Sequence, residues 1–194
     1  MAVELLHYNK NCLDIVLASA NRIFPKVKVK DEESKKLFIS KCIRFGKVSV
    51  FSHAFATIEF TCSLAVTREL ESYNFDITQQ SHIDTEELTF VIPPIIESNE
   101  QASIAFSRLM KKVVCTYKTL LKLNGEFDYR YILPGAVKTT VLITADFLRW
   151  LRILKLERYS NTSEELKELC SELYIVLNEL CSVIFNRTNL KCRI

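Results

Sequence analysis

Residues 54–64 read AFATIEFTCSL and set the architecture of the chain. Apolar Ile58, Phe60 and Cys62 alternate with polar residues along this segment. A period of two is typical of a strand that has one buried face and one polar face. We therefore predict a strand over Ala54–Leu64, followed by a short helix over Ala65–Asn74.

Further strands and helices flank this segment, and each is indicated by its own hydrophobic period. The predicted strands are Val3–Tyr8, Thr89–Ile92 and Val137–Thr144. The predicted helices are Cys12–Arg22, Asp31–Phe45 with Gly46 as its stop, Glu97–Leu123 with an apolar stripe that includes Leu109, and Phe147–Leu156. A capping box of Thr162 and Glu165 starts a last helix, which runs to about Phe185. This order predicts one domain over 1–194 of the α/β (α+β) class, a mixed sheet with long helices.

The composition is that of a globular protein of 194 residues, with 48% hydrophobic and 25% charged residues. Lys+Arg 26 against Asp+Glu 23 gives a net charge of +3, which is too balanced to predict a nucleic-acid or membrane partner. A nucleic-acid hypothesis rests only on that charge and on Lys26, Lys28 and Lys30, which we expect in a solvated loop. With only three glycines, the chain has neither a P-loop nor a dinucleotide-binding fingerprint.

The seven cysteines are scattered, and no two lie within ten residues of each other. This spacing excludes a Cys-x-x-Cys metal motif, and we predict no metal site. We interpret the cysteines as buried and reduced, although a catalytic Cys–His pair stays open. No apolar run approaches the length of a membrane-spanning helix, and Lys10 and Asp14 interrupt the N-terminus. We therefore expect a cytoplasmic protein without a signal peptide.

Several short motifs follow one another in a characteristic order. They are Phe51-Ser52-His53, Thr78-Gln79-Gln80-Ser81, Thr89–Pro93, Arg130-Tyr131-Ile132-Leu133-Pro134 and the segment from Thr139 to Leu156. In order and rough spacing they resemble the motifs of the flavin-dependent thymidylate synthases, over nearly the whole chain.

The resemblance implies a mixed α/β domain that forms a homotetramer, with FAD in a cleft shared between subunits. Enzymes of this family methylate dUMP to dTMP, with methylenetetrahydrofolate as the carbon donor and NADPH-reduced flavin as the hydride source. They need no cysteine nucleophile, and the protein supplies positioning and charge while the cofactor carries the hard chemistry.

The chain departs from the family at the ligand contacts. The resemblance places the Arg-His-Arg that holds the flavin nucleotide at Ser72-Tyr73-Asn74, and the phosphate-binding Ser-x-Arg at Ser81-His82-Ile83. It places the flavin-contacting Asn-x-Arg at Asp146-Phe147-Leu148, a uracil-contacting arginine at Glu157, and an active-site glutamine at Glu69. Each lost charge-assisted hydrogen bond is worth about 1.5–3 kcal/mol, so we predict that FAD binding is weak or absent.

Some candidate ligand contacts are retained. By the resemblance, the candidate substrate-binding residues are Arg130, Ser81 and Arg68, and the candidate cofactor-binding residues are His53, Tyr73, Asn74 and Arg152. Arg152 stands where the family usually has asparagine. A structural ion pair explains Arg130 equally well, and His53 also fits a purely structural position. Arg68, Arg130 and Arg152 together suit a different, smaller anion.

These observations favour a divergent homologue whose FAD and dUMP contacts have eroded, and we name no catalytic residue. It would be a homo-oligomer, with a tetramer favoured, that binds a nucleotide or another anion or has a structural role. The alternative is an active flavin-dependent thymidylate synthase whose flavin is held by substituted contacts.

Overall fold

The computed structural model describes residues 2–73, 75–80, 87–123 and 129–191. Within these ranges a sheet of four strands forms in the order β1 (Ala2–Tyr8), β2 (Phe55–Ser63), β4 (Lys138–Asp146) and β3 (Ile77–Gln79), and neighbouring strands are antiparallel. β2 pairs with β4 along its whole length, from Phe55 opposite Asp146 to Ser63 opposite Lys138. The strand predicted over Ala54–Leu64 is confirmed and lies inside the sheet.

Helices alternate with the strands along the chain, and the predicted mixed α/β class is confirmed. In the described ranges they are α1 (Cys12–Ile23), α2 (Glu32–Arg44), α3 (Leu64–Glu71), α4 (Pro94–Glu97), α5 (Glu100–Lys122), α6 (Phe147–Ile153), α7 (Glu164–Cys181) and α8 (Arg187–Lys191). Short 3₁₀ turns occur at Val48–His53, Tyr129–Ile132 and Leu156–Arg158. The predicted stop after α2 is confirmed, because Gly46 adopts a φ of 67°, which glycine tolerates without strain.

The core lies on one face of the sheet. Ile58 and Phe60 of β2 and Ile143 of β4 are at most 1% exposed. They share one buried cluster with the apolar sides of α1, α2, α6 and α7. The other face of the sheet is mainly polar, and the hydroxyls of Thr57 and Thr144 lie 2.9 Å apart on it. The alternation along β2 thus divides core from surface, as the sequence predicts.

The long helix α5 makes little contact with this core. Of its 23 residues, Met110 and Tyr117 are buried. Tyr117 packs in a second, smaller cluster that includes Val137. Leu109, which belongs to the apolar stripe of the predicted helix, is 55% exposed, whereas the adjacent Met110 is buried. The helix therefore contacts the rest of the described chain along a narrow stripe. The hydrophobic period of its sequence does not show how narrow this stripe is.

The segment around residues 77–92 differs from the prediction. In place of a strand over Thr89–Ile92, the structure has a single bridge between Phe90 and Val137. Pro93 follows directly and lacks the N–H that a longer ladder needs. The fourth strand, β3, was not predicted, because three residues without apolar alternation give no periodic signal.

The start of α7 also differs from the predicted capping box. The N-cap residue is Ser163, whose hydroxyl accepts the N–H three residues further on. The Thr162 hydroxyl instead donates to the backbone carbonyl of Leu156 at 2.8 Å. The Glu165 carboxylate turns away from the helix end and accepts hydrogen bonds from Ser63 on β2. Glu165 therefore binds Ser63 on β2 and does not form the predicted capping box with Thr162.

Three helix ends lie elsewhere than predicted. The helix predicted over Glu97–Leu123 is interrupted, because the side chain of Asn99 caps a new start at α5 by accepting from the N–H of Ala102 at 3.0 Å. α6 ends at Ile153, and its chain continues as a turn. α7 ends at Cys181, and the short α8 that follows was not predicted.

Candidate ligand cleft

The structure describes four of the seven candidate site side chains. Ser81 and Asn74 lie outside the described residues, as does the side chain of Arg130. His53 is exposed just before β2, and Arg68 is exposed on α3 just after it. Nine residues of strand span roughly 30 Å. One copy of the chain therefore does not bring His53 and Arg68 together.

Tyr73 and Arg152 do meet, in a cleft of about 470 Å³. The cleft opens between the turn that follows α3 and the segment that runs from α6 to Tyr159. Its charged lining consists of Arg149, Arg152 and Lys155, and its aromatic lining of Tyr73, Phe75 and Tyr159. We call this feature the basic cleft. Its combination of cations and rings suits an anion that carries an aromatic group.

The arginines of α6 line the basic cleft because the other residues of the helix are buried. The Asp146 carboxylate caps the helix by accepting the Arg149 N–H at 2.7 Å. Five of the seven helix residues are apolar and buried. Arg149 and Arg152 are therefore left on the single exposed face, three residues apart, where a helix places side chains side by side. Lys155 follows three residues later in the turn.

In the described part of the chain, the two arginines of the basic cleft have little compensation from carboxylates. Among the described residues, the carboxylate that pairs with Arg149 is that of Asp76, whose Oδ2 atom lies 3.9 Å from the Nη1 atom of Arg149. The Asp76 side chain is 95% exposed, so solvent screens the pair. Arg152 forms no ion pair in the part of the chain that the structure describes. The cleft therefore attracts anions.

The described cysteines differ in the acidity of their thiols. A hydrogen bond with Cys181 lowers the pKa of the Cys12 thiol to about 7, although the Cys12 side chain is buried. Burial raises the pKa of the Cys62 thiol to about 11 and that of Cys170 to about 12. Thiols of this kind are unreactive near neutral pH. The expectation that all cysteines are buried is wrong for Cys115, which is exposed on α5. Among the described residues, no group of three or more His, Cys, Asp or Glu side chains could hold a metal ion.

None of the described helices is long and apolar enough to cross a membrane.

Most of this sequence is similar to a known protein family. A family model described as "Thymidylate synthase complementing protein" matches residues 4–181. The chain belongs to the flavin-dependent thymidylate synthase family. This finding confirms the resemblance that the ordered motifs indicated.

Three relatives named flavin-dependent thymidylate synthase show how far the chain has diverged from the family. The protein of Thermococcus onnurineus is 26% identical over 186 residues, which are 86% of this chain and 74% of the relative. That of Pyrococcus furiosus is 25% identical over 185 residues, or 86% and 75% of the two chains. That of Thermococcus kodakarensis is 27% identical over 187 residues, or 86% and 74%.

Glu69, Asp146 and Glu157 are acidic at positions where the family has other residues. Two of these three carboxylates bind groups elsewhere in the fold. The carboxylate of Glu69 accepts the Ser163 hydroxyl at 2.7 Å and the Ser163 N–H at 3.3 Å, at the start of α7. Asp146 is occupied as the cap of α6. Glu157 is exposed in the turn after α6. The new carboxylates at Glu69 and Asp146 therefore hold helices in place and do not project as free charges.

Arg149, Lys155 and Tyr159 of the basic cleft were not predicted from the sequence. One signal was available, because Arg149, Arg152 and Lys155 recur every third residue in an otherwise apolar helix. That pattern identifies an exposed cationic stripe. It does not identify the aromatic side chains of Tyr73 and Phe75, which come from a distant part of the chain.

Proposed function

We propose that this chain is a homo-oligomeric family member that no longer carries out flavin-dependent thymidylate synthesis and instead binds a nucleotide or another anion. One observation carries the proposal. The segment aligned with the family's basic triplet contributes an uncharged Tyr73 to the basic cleft, whereas the cations of this cleft come from α6 and the turn after it. The wall that aligns with the triplet is therefore uncharged in this chain, which suits a ligand other than the family's flavin.

Contacts around the former triplet support the loss of flavin binding. The Ser72 hydroxyl donates back to the carbonyl of Glu69 at 2.6 Å, so it is engaged by its own helix. Leu148, at the position of a flavin-contacting arginine, is buried. Neither residue can replace a guanidinium that binds phosphate, because neither carries charge.

The proposal predicts no rescue of a thymidine auxotroph and no flavin in the purified protein. The chain is expressed in a strain without thymidylate synthase, and expression of soluble protein is checked by immunoblot. We expect no growth without thymidine and no visible flavin absorbance. A catalytically active family member in the same vector is the positive control. Growth without thymidine would overturn the proposal and favour the alternative, an active synthase whose flavin is held by substituted contacts.

The surface of α5 supports the oligomeric part of the proposal. Leu109 is 55% exposed on the helix, and the neighbouring Phe106, Val113 and Leu120 are only half-buried. An amphipathic helix normally covers its apolar stripe. A second copy of the chain is the occupant that we propose, because the resemblance implies subunits that share a cleft.

A single substitution tests this interface. Leu109→Glu puts a charge on the exposed apolar stripe, and we expect the oligomer's dissociation constant to rise roughly tenfold or more. The matched control is Lys118→Glu, which changes an exposed residue on the opposite side of α5. Sedimentation equilibrium of the wild type and both variants gives the comparison. A wild type that is monomeric at micromolar concentration, or equal effects of the two variants, would contradict the proposed interface.

A cytoplasmic location also belongs to the proposal. The described residues hold six free cysteines and form no disulfide. Free thiols are typical of a reducing compartment.

A further inference from the structure

We propose that the basic cleft binds the phosphate chain of a nucleoside diphosphate or triphosphate along Arg149, Arg152 and Lys155, while Tyr73 and Tyr159 contact the base. This inference rests on the proposed function and specifies its ligand class and its site. Arg152 distinguishes this chain from the family's pattern, since the resemblance puts an asparagine at that position.

The three cations form a line that suits an extended anion. They follow one another at intervals of three residues, from α6 into the turn after it. The turn keeps a helical path, because the Leu154 N–H donates to Trp150 and the Lys155 N–H donates to Arg152, both at 3.1 Å. Six residues of helix rise about 9 Å. A single phosphate cannot contact the whole of such a line, whereas a chain of phosphates can.

The aromatic side chains favour a nucleotide over a bare polyphosphate. Tyr73 is 40% exposed and Tyr159 is 55% exposed, and both line the basic cleft together with Phe75. Exposed rings beside cations are the usual platform for stacked bases. A volume of about 470 Å³ lies in the range of pockets that take small ligands.

The fold gives the arginines little other use. Both side chains are exposed, and the single ion pair found for them in the described residues is the screened contact between Arg149 and Asp76. Like charges this close on a helix repel each other. A bound anion would offset this repulsion and would compete with Asp76 for Arg149.

Calorimetric titration of the full chain tests the ligand class. The probes are ADP, AMP, inorganic tripolyphosphate and a short single-stranded oligodeoxynucleotide. We expect ADP to bind roughly tenfold or more tightly than AMP, because its second phosphate reaches a further cation. Equal affinities for ADP and AMP would overturn the inference. An oligodeoxynucleotide that binds more tightly than ADP would overturn it in favour of a nucleic-acid strand.

Variants test the site itself. We expect Arg152→Gln to weaken ADP binding roughly ten- to hundredfold, the usual effect of losing one charge-assisted contact. The matched control, Arg158→Gln, changes an exposed arginine that does not line the cleft, and it should bind ADP like the wild type. Equal effects of these two variants would show that ADP binds elsewhere and would overturn the inference.

Two further substitutions give opposite, diagnostic changes. Asp76→Asn removes the competing carboxylate and should raise the affinity for ADP a few-fold. Tyr159→Leu should weaken ADP binding without changing tripolyphosphate binding, since only ADP has a base. Lower affinity in Asp76→Asn, or equal losses for both ligands in Tyr159→Leu, would count against the proposed pose. Thermal melting of each variant verifies that it is folded.

The outcomes separate this inference from the proposed function. If ADP fails to bind and the auxotroph is not rescued, only the inference about the basic cleft is overturned. If the auxotroph grows, the proposed function is overturned, whatever the titrations show.

Discussion

Replacing Glu165 with leucine will lower the free energy of unfolding by about 3 kcal/mol or more. The carboxylate is buried at 7% exposure and accepts the Ser63 N–H at 2.8 Å and the Ser63 hydroxyl at 2.7 Å. Ser63 is itself 1% exposed, so no water can replace the lost acceptor at either donor. For a protein of this length the loss corresponds to a fall in Tm of roughly 6–12 °C.

The adjacent residue provides the matched control. Glu164 occupies the first turn of the same helix but is exposed, and its carboxylate contacts only Lys167 at 2.6 Å among the described residues. Glu164→Leu should change stability by about 0.5 kcal/mol or less. Denaturant unfolding followed by circular dichroism gives both values. Equal losses of unfolding free energy in the two variants would show that the contact between Glu165 and Ser63 does not stabilise the fold.

Glu165 belongs to a reciprocal arrangement that also shapes the basic cleft. Ser63 caps α3 and donates to Glu165 on α7, while Ser163 caps α7 and donates to Glu69 on α3. Each helix thus supplies the carboxylate that holds the other helix's N-cap serine. The turn that carries Tyr73 follows directly after α3. We expect loss of Glu165 to disturb the basic cleft as well as the stability of the fold.

Replacing Trp150 with alanine will cost about 3–5 kcal/mol of stability. The Trp150 side chain is fully buried where α6 packs on the sheet. The centroid of its ring lies 6.0 Å from that of Phe60 on β2. Its Nε1–H donates to the backbone carbonyl of Ala56 at 3.1 Å. Alanine would leave a large cavity and would also leave this carbonyl without its side-chain partner.

Trp150→Phe separates the two contributions. Phenylalanine fills most of the volume but cannot donate to Ala56, so we expect a smaller loss of about 1–3 kcal/mol. Far-UV circular dichroism must follow the denaturant unfolding, because Trp150 is the single tryptophan of the chain and fluorescence would be lost with it. A loss below 1 kcal/mol for Trp150→Ala would contradict its role in joining α6 to β2.

The sequence by itself determined the features that depend on short-range periods. The alternation around Ile58 and Phe60 sufficed for β2, because a strand turns successive side chains to opposite faces. The end of α2 was predictable from Gly46, since glycine tolerates a positive φ. The order of the motifs was enough to identify the family, because it reflects the whole chain and not one local structure.

Only the tertiary structure decided where side chains from distant segments meet. Thr162 and Glu165 have the spacing of a capping box, but Glu165 binds Ser63, which lies 102 positions away. The basic cleft likewise joins Tyr73 to Arg152, which no local pattern relates. Hydrogen bonds and charges act through space, whereas sequence periods report only on neighbours within a few residues. Contacts of this kind therefore appear only when the chain is folded.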